Sequence, residues 1–118
     1  MTTARLGELH PEGIAELERA LAVARRSTDP ELLDLCARRV DAMLVGTGFD
    51  DPDGITARER AYLDFTEQFV ISVSTVSDAQ VDALLEHSTP EEVYGFIGAL
   101  YVTEMARRVE IVSGAVLE

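Results

Sequence analysis

The chain has 118 residues, a net charge of −12, and 47% hydrophobic and 27% charged residues. That length holds one domain with a core of several helices, and its acidity excludes phosphate-backbone binding, which needs clustered cations. The single cysteine, Cys36, excludes an intrachain disulfide or a CxxC redox pair and fits a reducing compartment.

All ten basic residues are arginine, and Lys, Asn and Trp are absent. This reads as compositional bias, although the guanidinium fork does suit carboxylate and phosphate ligands. The amino-terminal stretch shows no apolar h-region, so a secretory leader is not expected. No apolar run approaches the ~20 residues that span a bilayer. The expectation is a cytoplasmic protein with no nucleic-acid or membrane partner.

Five helices are predicted. The first spans residues 11–26: Pro11 suits the opening position, and Ile14, Leu17, Leu21 and Ala24 form a narrow apolar stripe. The second spans 30–45, with Thr28 and Glu31 at capping-box spacing and Gly46 as its stop. Its inner face is Leu32, Leu33, Cys36, Val40, Met43 and Leu44. Residues 46–55, GTGFDDPDGI, are turn chemistry, and their aspartates lack the ligand order of a calcium loop.

A third helix starts at Thr56, capped by Glu59, and runs to about Val70 with Tyr62, Phe65 and Phe69 inward. The β-branched run Val70–Val76 suits a strand by propensity, but one strand has no partner, so it reads as a frayed helix end. A short fourth helix runs from Ser77 to about His87, capped by Ser77 and Gln80. The last, from Thr89 to about Val112, has another capping box in Thr89 and Glu92. Its predicted apolar side is Val93, Ile97, Leu100, Tyr101, Met105 and Val112, opposite Glu92, Gly95, Ala99, Thr103, Ala106, Glu110 and Ser113.

Glu104 and Arg108 fall on that apolar side, four residues apart. Charges are rarely buried unpaired. One reading is a structural ion pair, within the fold or across an interface. The other makes Arg108 an anchor for a substrate carboxylate and Glu104 a proton-transfer group, because a carboxyl in an apolar wall has a raised pKa. Glu59 is a capping residue or a second inward carboxylate. Arg39 is a snorkelling surface residue or an anion ligand. Together Arg39, Glu59, Glu104 and Arg108 sum to zero charge, as a buried polar cluster should.

Tyr101, one turn from Glu104, is the best-placed hydroxyl to orient a ligand. Tyr62 and Tyr94 read as core or interface aromatics, and Tyr62 joins the binding candidates. Arg107 is the fallback for Arg108. Cys36 reads as a small buried hydrophobe, His10 as a helix-start residue and His87 as a helix-end cation. The two histidines show no metal-ligand spacing, so neither metal nor organic cofactor is expected.

The segments ITARERAYLDFTEQF, SDAQVDALLEH and TPEEVYGFIGALYVTEMARRVEIVSG together resemble the carboxymuconolactone decarboxylase and alkylhydroperoxidase D-like family, over about residues 55–112. PELLDLCARRVDAM resembles the family's preceding helix more weakly, through Asp34, Leu35 and Arg39. Peroxidase members carry E-x-x-C-x-x-C-x-x-x-H at the end of that helix. Here the stretch is DAMLVGTGFDDPDG, without Cys or His, so the dithiol cycle is excluded as written. The resemblance implies an all-α, homo-oligomeric protein.

The expected function is a cofactor-independent enzyme of decarboxylase, lyase or isomerase type acting on an anionic metabolite. In it Glu104 and Glu59 are catalytic, and Arg108, Arg39, Tyr101 and Tyr62 bind substrate. The alternative is a non-catalytic oligomeric binding or accessory protein, and a distant third is a peroxidase using Cys36 alone. The breadth of the last helix's apolar arc independently argues for self-association.

Overall fold

Proline and capping chemistry set where each helix begins. The computed structural model describes residues 7–117 and is all-helical, with no strand among them. The reading of the amino-terminal stretch as leaderless rests partly on residues 1–6, outside the described residues. Helix α1 is Pro11–Arg26, α2 Pro30–Val45, α3 Ala57–Ile71, α4 Asp78–Leu85 and α5 Pro90–Leu117, with a 3-10 turn at Val73–Thr75. That turn occupies the β-branched run, so the absence of a partner strand overrides its propensity.

Three capping boxes form as the spacing requires, at Thr56 and Glu59, Ser77 and Gln80, and Thr89 and Glu92. The fourth does not. Asp29 caps α2 instead of Thr28, its Oδ1 accepting from the N–H groups of Glu31 at 3.0 Å and Leu32 at 3.5 Å. The carboxylate stands immediately before Pro30 and reaches those orphan donors first. Gly46 ends α2 at φ 75°, a left-handed conformation that a side chain would strain.

Helices α2 and α3 pack on each other, α4 leans on α3, and α5 lies along both α1 and α2. The core is Leu33, Cys36 and Val40 of α2, Tyr62, Leu63 and Phe65 of α3, Leu84 of α4, and Phe96 and Leu100 of α5. Tyr62 meets Phe96 edge-on at 4.6 Å between ring centres, a favoured aromatic geometry. No described helix is long and apolar enough to cross a membrane.

Two expectations for α5 are corrected. The helix continues past Val112 and through Gly114 to Leu117. Its buried face is rotated from the predicted side: Val93, Phe96, Ala99, Leu100 and Ser113 are buried, while Tyr101, Met105 and Val112 are exposed. The cause is α1. A Cβ on Gly95 would lie 2.5 Å from the Ser27 carbonyl oxygen, so Gly95 marks a close crossing with the end of α1. With the buried Ala99, it belongs to the packed side of α5.

Candidate functional site

Glu104 lies one turn beyond the fully buried Leu100, at the edge of the core. Its side chain is 16% exposed, whereas that of Arg108 is 50% exposed. Arg108 Nε donates to Glu104 Oε1 at 2.8 Å. Glu104 Oε2 is enclosed and has no hydrogen-bond partner. The expectation that both charges are sequestered is therefore corrected: the acid is, and the guanidinium reaches water. Leaving one carboxylate oxygen dry and unpaired costs about 1–3 kcal/mol.

The other expected site residues do not gather around this pair. Arg39 donates to Glu67 Oε2 at 3.1 Å and stacks 5.3 Å from the centre of the Phe49 ring. It ties α2 to α3 and holds down the 46–55 loop. Glu59 Oε1 accepts from the Thr56 backbone N–H at 2.9 Å, the reach-back of its capping box. Tyr62 is buried and donates its hydroxyl proton to Ser88 Oγ at 2.6 Å, with Arg58 over its ring. Tyr101 is 60% exposed and does not stand in a wall beside Glu104. Arg107 is tied to Asp41 across the α2–α5 contact and to Glu110 at 3.4 Å. The neutral four-residue cluster expected from charge counting does not form, because each member has a nearer partner on its own helix or the next.

Cys36 is fully buried on the inner face of α2. Burial pushes its thiol up to about 11, reinforced by the negative charge of Glu59 and opposed by the Thr66 hydroxyl. A thiolate nucleophile needs the opposite surroundings. His10 is exposed at the start of α1 and caps nothing with its side chain. His87 is exposed just after α4. Among the described residues no group of three or more His, Cys, Asp or Glu could hold a metal ion.

A different surface stands out. Tyr94, Gly98, Tyr101, Met105, Arg108, Val112 and Ala115 are all exposed. They recur at alternating spacings of four and three, the heptad seam of a helix that faces another helix. Tyr94 is 83% and Val112 60% exposed. Two apolar grooves open beside the seam, between α5 and α1. One, of about 450 Å³, is lined by Ile14, Leu17, Ala20, Met105 and Val109. The other, of about 470 Å³, is lined by Val23, Ala24, Tyr94, Gly98 and Val102. The spacing was present in the sequence, but amphipathic reading seeks one apolar face, and α5 has two.

No protein-family model, curated protein or solved structure matches this chain.

Proposed function

We propose that this chain is a non-catalytic, self-associating helical protein that assembles through the outward face of α5. The carrying observation is the seven-residue exposed seam on a helix that is apolar on nearly every side. A helix apolar all round is ordinarily covered all round. Here α1 and α2 cover two flanks and leave the third open. The dispersal of the catalytic candidates supports this reading over an enzyme, since Arg39, Glu59 and Tyr62 are engaged in structural bonds. The resemblance of residues 55–112 to carboxymuconolactone decarboxylase-like proteins points the same way: it implies an oligomer, and the peroxidase cysteines are missing.

Sedimentation equilibrium of the full chain tests it. The expected result is a dimer or higher oligomer that Met105→Glu converts to monomer with helicity retained. A wild-type chain that is monomeric at every concentration overturns the proposal.

One observation favours a second reading, a cofactor-independent enzyme acting on an anionic metabolite. Glu104 holds an enclosed, unpartnered oxygen beside the half-exposed cation of Arg108. A panel of small carboxylates screened by thermal shift tests this. Stabilisation that Glu104→Gln abolishes supports it, and no stabilisation by any of them removes it.

A further inference from the structure

We infer that α5 pairs with α5 of a second copy in antiparallel register, Arg108 of each copy lying over Gly98 of the other between Tyr94 and Tyr101. This rests on the self-association reading above and specifies its geometry.

The spacing identifies the occupant as a helix. Seven exposed positions at four-three intervals keep one line facing a partner over about 32 Å of axis, at ~1.5 Å per residue. The residues flanking that line, Ile97, Val102, Val109 and Ile111, are apolar and half-buried against their own chain. A partner helix therefore meets a broad apolar bed with the α1 groove along one side.

The contents of the seam favour a second copy. Its amino-terminal half is aromatic, with Tyr94 and Tyr101, and its carboxy-terminal half is aliphatic, with Val112 and Ala115. A two-fold axis between Tyr101 and Met105 sets Tyr94 against Val112, Gly98 against Arg108 and Tyr101 against Met105. Each is a large residue against a smaller or softer one, and an isologous contact requires that self-complementarity. A Cβ on Gly98 would meet nothing within 4 Å, so that position is an open notch for the long Arg108 stem. The guanidinium then lies near the faces of two tyrosines, which attract cations. Met105 places its sulfur beside Tyr101, another favoured contact.

Charge selects the direction. Arg108 is the only charged residue in the seam, and its own Glu104 already accompanies it. Parallel pairing would set Arg108 against Arg108. It would also bring Glu91 and Glu92 of both copies, exposed at the start of α5, to the same end of a chain carrying −12. Antiparallel pairing separates those acids to opposite ends and opposes the two helix dipoles.

Disulfide trapping tests the register in a Cys36→Ala background, with the native Cys36 chain as a second background should that variant misfold. Tyr94→Cys chains mixed with Val112→Cys chains and mildly oxidised are expected to give the mixed-chain disulfide. Neither variant alone should cross-link efficiently. A Tyr94→Cys homodimer in place of the mixed product overturns the antiparallel register while leaving self-association standing. A wild-type monomer in sedimentation, or an oligomer untouched by Met105→Glu, overturns both and leaves the face to some other partner.

Discussion

Gly95 of α5 sits against the backbone of Ser27 at the end of α1, so close that a Cβ there would lie 2.5 Å from the Ser27 carbonyl oxygen. Gly95→Ala is expected to destabilise the protein by about 1–3 kcal/mol, because the clash is with backbone and no rotamer relieves it. That outweighs the ~1 kcal/mol that alanine gains over glycine inside a helix. Gly98→Ala, which meets nothing in its own chain, should raise stability when measured in a monomeric Met105→Glu background. Thermal melts of the two variants moving in opposite directions bear out the crossing. Equal shifts contradict it.

Glu104→Met should leave the melting temperature unchanged or raise it. The substitution removes an enclosed carboxylate oxygen that has no donor and keeps an apolar stem of similar length. It releases Arg108, whose half-exposed guanidinium is already hydrated. A fall of several degrees would reveal a partner for Oε2.

Cys36 should resist alkylation in the folded protein near pH 8 and react on unfolding, since burial holds its pKa at about 11. The folded value lies above the unfolded one, so the associated stability is complete below about pH 8.5 and declines as pH rises towards 11. Cys36→Ala should flatten that alkaline decline in a pH series of chemical denaturation curves. Rapid labelling of native protein by iodoacetamide would contradict the burial.

Acid should loosen the start of α5 late in a titration. The backbone N–H of Thr89, together with its hydroxyl, holds Glu92 below the usual carboxylate range. A depressed folded pKa contributes stability above the ordinary value of about 4.3, and that contribution fades as pH falls through the lower folded value. Glu92→Gln should reduce the acid sensitivity of the helical circular dichroism signal as pH falls below about 4.3. An unchanged acid limb would mean that other carboxylates govern it.

Helix limits were legible because they are written in short-range chemistry. Pro11, Pro30 and Pro90 stand at first positions, the Thr56 and Ser77 boxes close locally, and Gly46 takes a left-handed φ that needs no tertiary context. Asp29 took the cap expected of Thr28 because two polar residues competed for the same orphan amides. Partnerships across the fold were less legible. Arg39 and Glu67 stand 28 residues apart, and their pairing depends on how α2 lies on α3. The inward face of α5 was misjudged because Gly95 and Ala99 look indifferent on a hydrophobicity wheel, whereas packing uses them for close approach. Sequestration was expected of both Glu104 and Arg108, and it holds for the acid alone. A longer side chain leaving the same face reaches past the core's rim.

Helix α1 rests chiefly on α5 and only lightly on α2, so its main support comes from the far end of the chain. Until α5 has docked, Ile14, Leu17 and Ala24 have little to shelter them, and closing that long loop is entropically slow. The same arrangement predicts that the amides of α1 exchange with solvent sooner in the native protein than those in α2 and α3.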